Sequence, residues 1–344
     1  MDYRETNIPA QAKSLLDEAI MNSRYVIDNH PKSRFVEEAY YIISVSMFLK
    51  QDYKGASKNL KKLIDLFPAG TLNLESYLWL AFCELRLNNI DKSKDILNEK
   101  VPIGKLDKNE HYLFSMIKAE IFLDAQDFVN VYKSYKNAIK YSTTDTDKMK
   151  IYSELIKISD KNKDYNSLVS FLDEIYPFLS SNKQKKEMRL LSIQYNKELK
   201  KFDYVVSEIE EMLDQSIFND IRITLFSELG KVYFEMGDYT AAKDIFEEIT
   251  LSYSKKDETA EAYYYLAKIN LEKEFDLESI KEFLNSSKSE RSNSKHGKLS
   301  KSLLKKIDVL ESNLDGYSYS SDSGLADLQN IFVDSLAQSG ATES

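Results

Sequence analysis

The sequence predicts an all-α protein built from repeated helix-turn-helix units. The chain has 344 residues, more than the ~250–300 that one hydrophobic core usually organises, so several domains or an array are expected. Glycine contributes 9 residues and proline 5, together about 4 % of the chain, where average usage is near ~12 %. Few tight turns are then available, which argues against all-β folds and against a phosphate-binding α/β enzyme.

Two series of residues recur with a period of about 37 and indicate seven repeats. An aromatic or aliphatic residue follows a polar turn, and a second, mostly small residue lies about nine positions before it. The first series is Tyr53, Ile90, Phe128, Tyr165, Phe202, Tyr239 and Phe275, and the second is Ser44, Ala81, Ala119, Ile156, Ile193, Gly230 and Ala267. This spacing predicts two helices per unit, the first ending before the turn and the second starting after it.

The small residues of the second series predict a close crossing of the two helices in each unit. Gly230 is expected at the closest of these crossings, since a short side chain lets two backbones approach. A further apolar series continues the stripe of the second helix at Leu60, Leu97, Tyr135, Leu172, Ile209 and Phe246. Each unit therefore has an apolar face with helical periodicity.

The repeat resembles the tetratricopeptide repeat (TPR) family. The best unit runs from Phe226 to Phe246, and it matches the family signature at Phe226, Leu229, Gly230, Tyr233, Gly237, Asp238, Tyr239, Ala242 and Phe246. The resemblance implies an α-α superhelix, a TPR-like solenoid whose first helices line a concave side. Lys118 and Ser192 stand where the first helix usually carries a large apolar residue, so repeats 3 and 5 are expected to pack less regularly.

Five regions are expected along the chain. Residues 1–29 form an N-terminal capping helix, half a repeat that begins near Ala10, and residues 30–284 form the solenoid of seven repeats. Residues 285–298 are rich in serine and are expected to be a linker, followed by a C-terminal capping helix over 299–314. Residues 315–344 are expected to be a flexible tail, with a weak helix over 325–338.

Composition and motifs exclude several classes of function. The net charge of −9 disfavours nucleic acid, whose binders need a basic face, and no apolar run is long enough for a membrane span. Cys83 has no partner for a disulfide and lies among apolar residues, which is typical of a small buried hydrophobe. The three histidines lack partners at metal-ligand spacing, and no glycine-rich phosphate loop is present. The expectation is therefore a protein without enzymatic activity and without a cofactor or metal.

The resemblance to TPR proteins implies a binding surface on the first helices. In repeats 1 to 3 the implied positions are largely apolar: Tyr41, Val45, Phe48, Leu78, Phe82, Leu85, Met116 and Leu123. In repeats 4 to 7 they are rich in lysine: Lys150, Lys157, Lys197, Lys231 and Lys268. One interpretation is a two-part groove for a partner protein or peptide with apolar and acidic segments. The other is that the apolar positions pack against neighbouring helices and the lysines are merely solvated.

A protein-binding scaffold is the function that these observations favour. The segment from Asn29 to Tyr41, with Gln51 to Tyr53 and Leu66 to Pro68, resembles TPR proteins of the bacterial cell envelope, of the β-barrel assembly and Tol-Pal types. Those relatives carry an export signal, which the polar start from Met1 to Ile8 does not resemble. Either the start is truncated or the protein stays in the cytoplasm, where it would be a regulator or sensor of a signalling peptide. The oligomeric state is left open.

Overall fold

The computed structural model describes residues 9–273 and 276–313, with side chains to residue 309. Over these residues the chain forms sixteen α-helices and no strand. The helices are α1 (Ala10–Asn29), α2 (Val36–Leu49), α3 (Tyr53–Leu66), α4 (Asn73–Arg86), α5 (Ile90–Lys100), α6 (Lys108–Asp124), α7 (Phe128–Tyr141), α8 (Asp145–Lys161), α9 (Tyr165–Ile175), α10 (Asn182–Glu198), α11 (Phe202–Leu213), α12 (Arg222–Met236), α13 (Tyr239–Ser252), α14 (Asp257–Lys273), α15 (Leu277–Glu290) and α16 (Lys295–Asn313). Short 3₁₀ helices span Ile103–Lys105, Tyr176–Phe178 and Ser216–Ile221.

The chain divides into two compact units, Met1–Phe178 and Leu179–Ser344. Unit 1 contains α1 to α9 and unit 2 contains α10 to α16. Within each unit, consecutive helices pack on one another, and several first helices also touch the next first helix, as α4 touches α6 and α12 touches α14. The prediction of an all-α fold of helix-turn-helix repeats is confirmed, while the array expected over 30–284 is shared between the two units.

The turn inside each repeat has one backbone geometry that explains the period. The first helix ends at a residue with positive φ, and these residues are Gln51, Asn88, Gln126, Lys163, Lys200 and Gly237. The next residue caps the second helix, and in four turns it is an aspartate whose side chain accepts a backbone N–H: Asp52, Asp127, Asp164 and Asp238. Left-handed backbone followed by an N-cap reverses the chain within two residues.

The apolar series of the second helices forms the core of the repeats. Leu60, Tyr135, Ile209 and Phe246 have no exposed surface. Gly230 lies against the Phe246 ring, and a Cβ on this glycine would come within 2.8 Å of the ring carbons. The prediction of a close contact at Gly230 is therefore confirmed.

The expected linker over 285–298 is wrong. Residues 285–290 belong to α15 and residues 295–298 to α16, so the C-terminal helix begins before residue 299. Ser287, one of the serines that suggested a linker, is fully buried at a helix crossing, and its hydroxyl lies 2.9 Å from that of Ser300, which is also fully buried. Ser287 also donates to the Ala260 carbonyl. The predicted tail, 315–344, lies outside the described residues.

Candidate protein-binding surfaces

The aromatic residues of the first helices in unit 1 are mostly core residues. Phe48 lies on α2, and Leu78 and Phe82 lie on α4; all three are at most 2 % exposed. The Phe48 and Phe82 rings are 4.8 Å apart, because α2 and α4 pack directly on each other. Their prediction as partner-binding residues is wrong, since a partner cannot reach them.

Five of the apolar positions remain partly accessible in unit 1: Tyr41, Val45, Leu85, Met116 and Leu123. The Tyr41 hydroxyl donates to Glu75 and accepts from the Trp79 indole N–H at 2.9 Å. Burial raises the pKa of Glu75, partly offset by its hydrogen bond from Tyr41. This corner of unit 1 can therefore offer a polar group with aromatic neighbours to a partner.

A bidentate ion pair joins the next two first helices of unit 1. The Arg86 guanidinium on α4 contacts both Glu120 oxygens on α6 at 2.9 Å, and it lies 4.9 Å from the Phe82 ring centroid. Glu120 is only 8 % exposed, so the pair shields its own charge from solvent. Lys150 and Lys157 on α8 are exposed, and Lys157 pairs with Glu154 at 2.9 Å.

In unit 2 two of the three predicted lysines, Lys197 and Lys231, belong to a chain of paired ionisable groups. Lys197 on α10 contacts Glu228 on α12 at 3.0 Å, and Glu228 contacts Lys231 at 2.7 Å. Lys231 in turn lies 3.3 Å from Glu261 on α14. His296 on α16 completes the chain, with its Nε2 3.6 Å from Glu261. We call these five residues the unit 2 charge chain.

Electrostatics within this chain favour the charged forms of Lys231 and Glu228. Burial alone would lower the pKa of Lys231, yet the charges of Glu261 and Glu228 outweigh it and raise that pKa. Burial opposes the charge of Glu228 as well, and Lys231 and Lys197 outweigh it and lower its pKa. The prediction that Lys231 is a cation exposed to a partner is wrong, because its charge is already neutralised by carboxylates.

Lys268 on α14 has a different environment. Its ammonium lies 4.4 Å from the centroid of Phe234 and 4.8 Å from that of Tyr265, and all three side chains are partly exposed. Burial lowers the pKa of Lys268 to about 8, although the charges of Glu272 and Glu235 act in the opposite direction. Among the described residues no carboxylate oxygen lies within ion-pair distance of this ammonium. We call Phe234, Tyr265 and Lys268 the Lys268 patch.

Sequence reasoning missed the carboxylates that pair with the lysines. Glu228 lies three residues before Lys231, a spacing at which helical side chains meet. Several links between successive first helices follow a second rule, a separation of 34 residues, as in Arg86–Glu120 and Ser227–Glu261. With a period of about 37, this separation means that a residue meets the position one turn earlier in the next repeat. The lysine links are shorter in sequence, 31 residues for Lys197–Glu228 and 30 for Lys231–Glu261.

Other groups considered in the sequence have structural roles. Cys83 is fully buried, and burial raises the pKa of its thiol to about 12, so its interpretation as a small buried hydrophobe is confirmed. Over the described ranges, three or more potential metal ligands do not converge anywhere. None of the described helices combines the length and apolar character that a bilayer crossing requires.

Comparisons with known proteins agree with the repeat. Residues 228–256 match the tetratricopeptide repeat family, and this stretch overlaps the unit that resembled it best in sequence. The match covers one helix-turn-helix unit, so this stretch of the chain is similar to a tetratricopeptide repeat. No curated protein matches the sequence.

Three solved structures are similar at low identity. A tetratricopeptide repeat protein from Parabacteroides merdae is 13 % identical over 94 % of this chain and 99 % of its own, with a TM-score of 0.33. The C-terminal part of a TPR repeat-containing protein from Cytophaga hutchinsonii is 16 % identical over 73 % and 95 %, with a TM-score of 0.40. A signal transduction ATPase with a tetratricopeptide repeat sensor, from Pyrococcus horikoshii, is 14 % identical over 80 % and 46 %, with a TM-score of 0.37. These scores carry no functional inference.

Proposed function

We propose that the protein is a non-enzymatic scaffold that binds protein partners or peptides on its first helices, and that acidic side chains of the partner bind at the Lys268 patch. The observation that carries this proposal is the position of the Lys268 ammonium, partly buried between Phe234 and Tyr265. Aromatic rings stabilise a cation by about 0.5–2 kcal/mol, less than a well-placed carboxylate can supply to a desolvated charge.

An acidic side chain of the partner would form a new ion pair at this patch, whereas at Lys197 or Lys231 it would have to replace an existing one. Lys197 and Lys231 are already paired, so a partner carboxylate would compete with Glu228 and Glu261 for them. At Lys268 a carboxylate adds an ion pair without breaking one. Apolar residues of the partner next to this carboxylate would contact Phe234 and Tyr265. The expected motif in the partner is therefore an acidic residue beside an apolar or aromatic one.

Peptide display with the purified full chain as bait tests the proposal. We expect selected peptides to be enriched in aspartate or glutamate next to apolar residues. Affinity for a selected peptide should fall about tenfold or more in Lys268→Gln, because a charged contact is lost from a partly buried site. Lys157→Gln is the matched control, since it removes an exposed lysine of the same repeat position and should leave affinity unchanged.

The pH dependence of binding gives a second, independent measurement. A lysine with a pKa of about 8 loses its charge as the pH rises through that value, so affinity should be full below pH 8 and fall above it. Lys268→Arg keeps a charge at all these pH values and should remove the decline. Selected peptides without acidic residues, or a pH profile unchanged in Lys268→Arg, would contradict an acidic partner at this patch.

For the cellular setting we propose the bacterial cell envelope, on the resemblance of the segment Asn29 to Tyr41 to envelope TPR proteins. The alternative is a cytoplasmic regulator or sensor that binds a signalling peptide. Fractionation of the native cells, followed by detection of the full chain with an antibody, separates the two. Recovery with the envelope supports assembly of envelope proteins, and recovery with the cytoplasm supports the alternative.

A further inference from the structure

A pocket of about 310 Å³ opens between α6 and α7 in unit 1. On α6 it is lined by a stripe that includes His111, Ser115 and Lys118. Met116 and Leu123 lie about 130° around the axis of α6 from the middle of this stripe, since successive residues of a helix are about 100° apart. The pocket is therefore separate from the first-helix surface of the proposed scaffold function.

The pocket lies where repeat 3 lacks a large apolar side chain that most other repeats bury. At the position of Lys118 the repeats 1, 2, 4, 6 and 7 carry Ile43, Leu80, Leu155, Leu229 and Leu266, all buried. At the facing position of Ser134 on α7, repeats 2, 4 and 6 carry Ile96, Phe171 and Ile245, whereas repeats 1 and 7 carry Asn59 and Lys281. Lysine in place of a large apolar residue on α6, opposite a serine on α7, leaves a space between the two helices.

Repeat 5 shows what compensates for such a change. It carries Ser192 at the position of Lys118 and Glu208 at the position of Ser134. There the Ser192 hydroxyl donates to Glu208 at 3.4 Å, and Arg189 pairs with the same carboxylate at 3.0 Å. A carboxylate of the chain thus fills the interhelical space in repeat 5. Repeat 3 places a lysine in this space and has no carboxylate at the facing position.

The lining of the pocket is cationic and donor-rich. Lys118 and Lys133 contribute ammonium groups from the two helices, and Ser115, Ser134 and Asn137 contribute polar groups that can donate hydrogen bonds. Within the described lining, no residue is an aspartate or glutamate. The Asn130 amide donates instead to Asp127, at 2.7 Å, so the nearest capping carboxylate is already engaged. The charge of the lining therefore favours an anion.

Aromatic rings form the rest of the pocket. The His111 and Tyr141 rings stack with centroids 4.4 Å apart and planes 10° apart. The Lys118 ammonium lies 5.3 Å from the Phe114 centroid and 5.8 Å from that of Phe122, which places the cation on the aromatic wall. The volume is at the lower end of the ~300–1,000 Å³ typical of ligand sites, so the ligand would be small.

We propose that the pocket between α6 and α7 binds a small aromatic anion, a planar ring carrying a carboxylate or phosphate group. The anionic oxygens lie between Lys118 and Lys133, where Glu208 provides a carboxylate in repeat 5. The ring packs on Phe114, Phe122 and Tyr141. Binding at this site is independent of a protein partner at the Lys268 patch.

Calorimetric titration of the full chain with benzoate and with phenyl phosphate tests this site. We expect saturable binding of at least one of them, and affinity at least about tenfold weaker for neutral benzamide and for inorganic phosphate, which lack the charge and the ring respectively. Lys118→Leu should weaken binding at least about tenfold while raising or preserving the melting temperature, because leucine is the residue that repeats 2, 4, 6 and 7 carry here. Lys54→Gln, which removes an exposed lysine on α3, is the control and should change affinity less than about twofold.

Several results would overturn the proposal. They are the absence of saturable binding of either anion, equal affinity for benzamide, equal affinity for inorganic phosphate, and binding that survives Lys118→Leu. Nuclear magnetic resonance of the His111 ring protons adds a readout that a change in folding would not reproduce. We expect these resonances to shift on addition of benzoate to the parent chain and to stay in place in Lys118→Leu.

Discussion

The two units use the same repeat geometry but distribute charge on their first helices in different ways. In unit 1 the links between neighbouring first helices are separate, with Tyr41 bonded to Glu75 and Arg86 bonded to Glu120. In unit 2 the links join into the unit 2 charge chain, from Lys197 to His296. The comparison shows that a run of lysines at repeat spacing does not by itself make a basic surface, because carboxylates on the neighbouring helix can neutralise it.

The two units also differ in how deeply their predicted binding residues are buried. Three of the eight apolar positions of unit 1 that suggested a groove, Phe48, Leu78 and Phe82, lie in its core, whereas the aromatic residues of the Lys268 patch stay partly exposed. Partner binding should therefore depend more on unit 2, and stability on the aromatic cluster of unit 1. Four variants, each paired with a control variant, test what burial, charge pairing and turn geometry contribute to stability.

The largest effect is expected for Phe82→Ala. The side chain is fully buried against Phe48, so truncation should cost about 3–5 kcal/mol of the free energy of unfolding. Val45→Ala, at a partly exposed position of the same surface, should cost about 1 kcal/mol or less. Urea denaturation followed by circular dichroism measures both. Similar small costs for the two variants would show that Phe82 is accessible after all.

Lys231→Met should have the next largest effect. Removing one partner of a buried ion pair costs about 3–5 kcal/mol, and the 16 % exposure of Lys231 reduces this to about 1–3 kcal/mol. Lys157→Met, at the equivalent position in unit 1 with 71 % exposure, should change stability by less than about 1 kcal/mol. The double variant Lys231→Met/Glu228→Gln should recover part of the loss, because it removes one of the carboxylates left without its cation. Equal costs at the two lysines would contradict the distinction between the units.

The fold could be predicted because its signals are local. A turn with a positive-φ residue, such as Lys200 or Gly237, recurs with the period of about 37, and the small residue before each turn marks the helix crossing. The binding residues could be predicted only in part, because helical position gives the direction of a side chain but not whether the next helix covers it. Leu78 and Met116 occupy equivalent positions in repeats 2 and 3, yet only Leu78 is covered. The pocket at Lys118 follows from a departure from the repeat pattern, which sequence analysis noted only as less regular packing.

A smaller change in the free energy of unfolding is expected in the turns, whose positive-φ residue is either a glycine or a residue with a side chain. Gly237 ends α12 with φ of 80°, and Lys200 ends α10 with φ of 55°. A side chain in this left-handed region costs about 1–2 kcal/mol, so Gly237→Ala should lower the free energy of unfolding by about 1 kcal/mol. Lys200→Ala should be close to neutral, because the position already carries a side chain. A loss at both positions, or at neither, would show that backbone strain does not distinguish these turns.

The last comparison concerns the end of the unit 2 charge chain, where His296 is 16 % exposed. The titratable or charged groups that face it are Glu261, Tyr264, Tyr265, Lys231, Lys268 and Lys295. Burial lowers the pKa of His296, and the attraction of Glu261 offsets this only in part, while the three lysines lower it further. The neutral imidazole is therefore favoured in the folded chain.

The smallest expected effect is a pH dependence of stability. In the unfolded chain the imidazole takes up a proton at about pH 6.5, and in the folded chain it does so only at lower pH. The stabilising contribution is thus complete above about pH 6.5 and is lost as the pH falls through the lowered pKa. His296→Gln cannot titrate and should flatten the decline of the melting temperature in this range, whereas His30→Gln, at an exposed position of unit 1, should leave it unchanged. If the melting temperature instead rises on acidification and His296→Gln removes that rise, the attraction of Glu261 outweighs the effect of burial on His296. The protonated imidazole then forms an ion pair with Glu261.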